Sequence, residues 1–263
     1  MLPFDYIRPV SLAQAIAAHA GEGEPRYLGG GQSLIGGLKL RLASPSALID
    51  LARLPELQGI RHHDGSLVVG GAVTHAGMEA DPTIPALAEL AGSIGDLQVR
   101  NMGTLGGALA NADPACDHAA GVVGLGALIH TDRRVIAADD FFLGMFETVL
   151  EPDEIIVEVR YPQPKRAAYA KLRNPASGYP VVGVFVAEAH DGVRVAVTGA
   201  GACVFRLPQF EAALAAEFSP DSLAGLTVPA DDLNRDLHAS ADYRAHLIGV
   251  LAGRAVQSCG APK

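Results

Sequence analysis

Two glycine-rich stretches constrain this chain more than any other feature of its sequence. The longer runs Arg100-Asn101-Met102-Gly103-Thr104-Leu105-Gly106-Gly107-Ala108-Leu109-Ala110-Asn111-Ala112-Asp113-Pro114-Ala115-Cys116-Asp117, after a helix expected over Pro85 to Leu97. Glycine admits positive φ and keeps side chains out of the way, so backbone N–H groups can approach an anion closely. Thr104 adds a hydroxyl donor. Asp113 and Asp117 close the stretch with Pro114 between them. Carboxylates beside a phosphate would repel it, so they are expected further along the ligand, accepting hydrogen bonds from sugar hydroxyls. That layout suits a dinucleotide. The shorter stretch is Tyr27-Leu28-Gly29-Gly30-Gly31-Gln32-Ser33-Leu34-Ile35, where an apolar lead-in runs into consecutive glycines and then Ser33, an expected N-cap. Either stretch alone reads equally well as a tight turn, whereas the pair can hold one pyrophosphate between them.

In order, spacing and residue type the two stretches, Gly-Gly-Gly-Gln-Ser and Thr-Leu-Gly-Gly-Ala-Leu-Ala-Asn-Ala-Asp-Pro, resemble the FAD-binding subunit of the molybdenum hydroxylases. That family includes the medium subunit of aerobic carbon monoxide dehydrogenase and the flavin domain of xanthine dehydrogenase, and the resemblance runs from one end of the chain to the other. It implies an α+β protein: a PCMH-type FAD-binding domain of two α/β subdomains, then a small C-terminal domain with an antiparallel sheet and helices. Carried over by position, it implies that Gly29, Gly30, Gly31, Gln32 and Ser33 meet the pyrophosphate region of FAD. Thr104, Leu105, Gly106, Gly107 and Ala108 match the second loop, Ile94 an apolar contact ahead of it, and Asp117 the family's FAD-binding acid. Ile156 and Lys171 resemble positions that meet the flavin from the far side, and Tyr179 one beside the isoalloxazine ring. The sequence departs from the family at Gly36-Gly37-Leu38, where a proline and methionines are common, and it is slightly short in its C-terminal part. These departures leave the branch of the family open.

Composition narrows the alternatives. The 263 residues suffice for two modest domains, and 49% hydrophobic against 19% charged residues argues for a folded chain. A net charge of −9 with no Lys/Arg cluster speaks against nucleic acid and acidic membrane surfaces as partners. No apolar run is long enough for an integral membrane segment and no signal-like N-terminus is present, so a cytoplasmic location is expected. Cys116, Cys203 and Cys259 are too scattered for a disulfide framework or an iron–sulfur cluster.

Along the chain, helices are expected from Ser11 and over Leu207 to Phe218 and Ala241 to Gln257. Strands are expected at Arg26–Leu28, Ala47–Leu51, Leu67–Val69 and Ile155–Tyr161. Leu38 to Leu42 is a short apolar piece. Ala119 to Ile129 reads as a buried helix leading into a strand; its glycines only faintly imitate a Rossmann fingerprint. Val181–Ala189 and Val193–Gly199 around Asp191-Gly192 make a β-hairpin. Pro162 and Pro164 mark the expected boundary between an FAD-binding domain, 1–164, and a C-terminal domain, 165–263, similar to that of the carbon monoxide dehydrogenase flavoprotein. The paired His62-His63 lie on opposite faces of a strand and suit no metal. His75, Cys116 and His118 read as structural, since the Asp-Pro-Ala-Cys-Asp-His run offers neither a full ligand set for zinc nor a placed base for a nucleophile.

The resemblance implies an oxidoreductase subunit without a catalytic acid, base or metal of its own. Molybdopterin would reside in a large partner subunit and iron–sulfur clusters in a small one, in a heterohexamer of two heterotrimers. Electrons would pass from the clusters through FAD to an external acceptor. Two other readings stand beside it, a free-standing PCMH-fold flavin oxidoreductase and a scaffold subunit that has lost FAD. Substrate and acceptor are not legible, because the substrate site would lie in another chain.

Overall fold

A computed structural model describes residues 1–21 and 23–260. The first unit is a small parallel sheet: β1 (Asp5–Ile7), α1 (Leu12–His19), β2 (Arg26–Leu28), α2 (Leu34–Lys39) and β3 (Ala47–Asp50), in strand order β1-β3-β2. Parallel neighbours need crossovers, and α1 and α2 provide them. Ser11 caps α1, its Oγ accepting from Gln14 N at 3.3 Å. Of the short apolar piece Leu38 to Leu42, Leu38 and Lys39 end α2 and the rest follows it: Leu38 is buried, and Leu40 and Leu42 project outward.

The second unit follows with β4 (Ile60–His63), β5 (Ser66–Gly70), α3 (His75–Glu79), α4 (Pro85–Gly92), α5 (Leu97–Met102), α6 (Leu105–Asn111), α7 (Asp117–Gly124), β6 (Leu128–Thr131), β7 (Val135–Ala137), β8 (Phe142–Gly144), β9 (Glu147–Thr148) and β10 (Ile156–Pro162). Its five-stranded sheet is antiparallel, in order β4-β5-β10-β6-β7, and β8 and β9 form a separate hairpin. Asp64-Gly65 turns β4 into β5, both residues at positive φ as a tight hairpin turn requires. The helix expected from Pro85 to Leu97 ends at Gly92, and a second helix, α5, begins at Leu97. Gly95 takes φ +50° and Asp96 starts afresh as an N-cap, its Oδ1 accepting from Val99 N at 2.8 Å.

The third unit contains β11 (Arg166–Arg173), β12 (Pro180–Ala189), β13 (Gly192–Thr198), β14 (Phe205–Arg206), α8 (Pro208–Ala216) and α9 (Ala241–Gly260), the four strands antiparallel in order β11-β12-β13-β14. The expected hairpin is β12–β13. The near-continuous apolar run of β12 has a physical reason, since the sheet is covered on both faces. Val182, Val184, Val186, Val195 and Val197 pack with α8 and α9, whereas Phe185, Ala187 and Ala196 belong to the core of the second unit around α7. Helices therefore lie on both faces of this sheet, one set borrowed from the preceding unit.

That shared core ties the third unit to the turn between α6 and α7. Thr198 Oγ1 reaches both Pro114 O (3.0 Å) and Cys116 O (2.9 Å), and Gly199 N donates to Pro114 O at 2.8 Å. Arg194 Nε donates to Val123 O at 2.8 Å. In the turn, Ala112 sits at φ +46°, a left-handed conformation that costs a residue with a Cβ about 1–2 kcal/mol, so the clamp from Thr198 matters. Replacing Thr198 by Val keeps the shape and removes the shared hydroxyl donor, leaving Pro114 O with Gly199 N and Cys116 O with Ala119 N. We expect a loss of about 0.5–1.5 kcal/mol, read as a lower urea midpoint by circular dichroism with an unchanged slope.

Candidate functional site

The first glycine stretch leaves the sheet at its edge. Leu51 N donates to Leu28 O at 2.9 Å, closing the β2–β3 ladder, and the N–H groups from Gly29 to Ser33 then find no acceptor among the described residues. Gly31 takes φ +73°, and its carbonyl accepts from Ile35 N at 3.0 Å, which starts α2. Ser33 was expected to cap this helix with its hydroxyl. It is itself helical in backbone and makes no capping bond, because the turn at Gly31 has already supplied the acceptor.

The second stretch is docked along the chain that follows β5. His75 N donates to Gly103 O (3.0 Å), Leu105 N to Val73 O (2.9 Å) and Gly106 N to Gly71 O (2.8 Å). Thr104 caps α6, its Oγ1 accepting from Gly107 N at 3.2 Å. The N–H groups of Leu105, Gly106 and Gly107 are thus spent on structure rather than left for an anion, contrary to the expectation from the glycines alone. These glycines serve close approach. A Cβ on Gly29 would lie 2.7 Å from Thr104 Oγ1, one on Gly30 would lie 2.6 Å from Gly103 Cα and collide with the Met102 carbonyl, and one on Gly106 would lie 2.8 Å from Gly71 O. Free backbone donors come from the first loop, and the second supplies the Thr104 hydroxyl proton.

Between the loops opens a cavity of about 430 Å³, within the range of cofactor pockets. Gly29, Gly30, Gly31, Gln32, Ser33, Ile94, Thr104, Gly106, Gly107, Ala108, Asp117, Ile156 and Tyr179 line it. Two residues named with them do not. Leu105 is fully buried in the core beneath α6, and Lys171 points its ammonium at Asp117. Sequence reasoning left out Gly71, Ala72, Asn111 and the Leu150-Glu151-Pro152 segment, all of which line the cavity. The Gly70-Gly71 doublet at the end of a strand was the available signal for the first of these. Leu150 to Pro152 carries none, being ordinary residues brought in as the chain returns to β10. His75, Cys116 and His118, read as structural, also line the cavity.

Asp117 opens α7 with its side chain 1% exposed. Its Oδ1 accepts from Tyr169 Oη and Lys171 Nζ, each at 2.7 Å, and Lys171 Nζ also donates to Gly178 O at 3.1 Å. Burial pushes the carboxyl up and the ammonium down, while their mutual attraction opposes both shifts. Asp117 Oδ2 is buried without a partner. A buried carboxylate oxygen without a donor on a residue that lines the cavity, a run of unpaired N–H groups and apolar walls from Ile94 and Ile156 fit a ligand with phosphates, hydroxyls and a flat ring. FAD has all three. Among the described residues no group of three or more His, Cys, Asp or Glu is arranged to hold a metal, and no helix is long and apolar enough to cross a membrane.

Comparison with known proteins agrees with this geometry. Residues 2–164 match the family described as the FAD binding domain in molybdopterin dehydrogenase. The chain is 33% identical to the carbon monoxide dehydrogenase medium chain of Hydrogenophaga pseudoflava, over 99% of each. It is also 33% identical to the nicotine 6-hydroxylase medium subunit of Paenarthrobacter nicotinovorans, over 97% of each. Its structure superimposes on a chain of a reconstituted CO dehydrogenase from Oligotropha carboxidovorans with a TM-score of 0.88 at 30% identity, covering 98% of this chain and 99% of that one.

Two glycine-to-alanine changes separated by a few residues should have opposite effects. Gly30→Ala forces the loops apart and should abolish flavin binding, followed by quenching of flavin fluorescence on titration. Gly36→Ala, whose Cβ meets nothing within 4 Å, should leave binding intact and stabilise α2 by about 0.5–1 kcal/mol, visible as a higher melting temperature.

Proposed function

The chain belongs to the FAD-binding subunits of the molybdenum hydroxylase family, and we propose a division of labour in which its residues only hold and orient the cofactor. It is an oxidoreductase subunit that binds FAD and transfers electrons within a complex that also has large and small subunits. In complexes of this type, molybdopterin and iron–sulfur clusters reside in the partner subunits. The redox chemistry belongs to the isoalloxazine of FAD, which takes up and releases electrons singly or in pairs.

The N–H groups of Gly29 to Ser33, with the Thr104 hydroxyl, hold the pyrophosphate. Their donors are uncharged, as suits a chain of net charge −9 that holds an anion by loop geometry. Asp117 Oδ2 accepts from a hydroxyl of the cofactor, and the buried Lys171 fixes the orientation of that carboxylate through Oδ1. Ile94, Ile156 and Tyr179 form apolar walls that keep water from the ring, Gly106, Gly107 and Ala108 give the second wall its closeness, and Leu105 supports it from the core. We divide the chain into an FAD-binding domain, 1–164, and a C-terminal domain, 165–263. Supporting that boundary, the family match stops at residue 164 and the third sheet opens at Arg166. The assembly is a heterohexamer of two heterotrimers in the cytoplasm, a location in keeping with three free cysteines.

The observation that carries this reading is the convergence of both glycine loops and a partnerless carboxylate oxygen on one cavity. The purified chain should show a two-band flavin spectrum with FAD near equimolar. It should bleach with dithionite, yet oxidise no hydroxylase substrate until large and small subunits are added. Turnover by this chain alone would contradict the division of labour, and a colourless chain that refuses added FAD would favour a scaffold.

A further inference from the structure

His75 opens α3 and His118 is the second residue of α7; both are buried, at 5% and 1% exposure, and both line the cavity. His118 Nε2 lies 3.0 Å from His75 Nδ1, with ring centroids 4.8 Å apart. One proton occupies that N···N contact, so one ring donates and the other accepts. Burial, with the nearby Arg100 charge adding to it, pushes His75 down to about 4, and burial beside His75 and Lys171 holds His118 well below the ordinary imidazole range. Both rings are neutral at pH 7, each with one N–H and one bare nitrogen.

Two tautomeric arrangements satisfy the contact. If His75 donates through Nδ1–H, then His118 must carry its own proton on Nδ1. That atom is buried and has no partner, so this arrangement strands an N–H in the interior, the costlier of the two orphans. If His118 donates through Nε2–H, its Nδ1 is merely a bare lone pair and His75 carries its proton on Nε2. His75 Nε2 makes no bond within the described chain and sits against Gly103, where an added Cβ would be 2.5 Å away. Both His75 and Gly103 line the cavity.

We propose that His75 is a cofactor-binding residue whose Nε2–H donates to an oxygen of FAD beside the second glycine loop, and that His118 is the positioning residue that fixes this tautomer. The proposal rests on the FAD reading of the cavity. The donor it adds is neutral, so it serves an oxygen acceptor without placing a second cation near Arg100.

The test combines nitrogen-15 NMR of the histidine rings with flavin titration of the full chain and its variants. In the wild-type chain, with or without flavin, both His75 and His118 should be protonated at Nε2; a proton on His75 Nδ1 would overturn the proposal without any substitution. His75→Gln places an amide N–H near the same point and should keep FAD affinity within about threefold, whereas His75→Leu should lose about tenfold, the scale of one hydrogen bond. His118→Leu should return the His75 ring to a mixture of tautomers. Equal loss in His75→Gln and His75→Leu, or no loss in either, would overturn the donor role. Should His75→Leu fail to fold by circular dichroism, the wild-type tautomer and His75→Gln still decide the matter. A wild-type chain that takes up no FAD would defeat the functional reading instead, and the tautomer measured on that chain would still confirm or refute the dyad.

Discussion

Backbone rests on backbone where the two glycine loops meet. Gly30 lies against the Met102 carbonyl and Gly103, and Gly29 lies against the Thr104 hydroxyl. No side chain fits between them, and the surrounding structure holds the two segments at that separation. The first loop is fixed by the end of the β2–β3 ladder, the second by hydrogen bonds to the segment from Gly71 to His75. Arg100 adds a further tie, its Nε donating to Glu79 at 2.8 Å and its Nη1 to Ile94 O at 3.2 Å, which binds α5 to its neighbours. Spending second-loop N–H groups on this docking has a consequence for binding: it leaves a rigid wall opposite a first loop whose own N–H groups are unpaired.

The third unit closes the site from behind through buried polar contacts. Lys171 and Tyr169 come from β11 and both reach Asp117 on α7. Removing one partner of a buried ion pair leaves the other uncompensated, at a cost of about 3–5 kcal/mol, so the orientation of Asp117 depends on the third unit being docked. Thr198 and Gly199 hold the turn before α7 from the same sheet. A carboxylate on a residue that lines the cavity, held through Oδ1 by the third unit, couples the fold of the C-terminal sheet to the site.

Much of this was legible in the sequence, and the rest was not for identifiable reasons. The glycine loops, the β12–β13 hairpin at Asp191-Gly192 and the buried helix after Asp117 follow from local chemistry, which a sequence displays directly. The break at Gly95 was missed because the apolar pattern continues through it, although Asp96 as a fresh cap was visible. Ser33 looked like a cap, yet Gly31 had already made the turn. The seclusion of Lys171 was not readable, since a lysine in a strand carries no mark of the distant carboxylate it will meet. Nor did the glycines of the second loop disclose whether their N–H groups would face a ligand or the neighbouring strand.

The account stands on a single cradle for a pyrophosphate formed by both loops, and comparing the affinities of the chain for FAD and FMN by calorimetry tests this most directly. A cradle for the pyrophosphate should bind FAD one to one and FMN far more weakly, because FMN has only one phosphate and cannot span both loops. Equal affinity for the two flavins would show that the loops hold no pyrophosphate, and the central claim would be wrong.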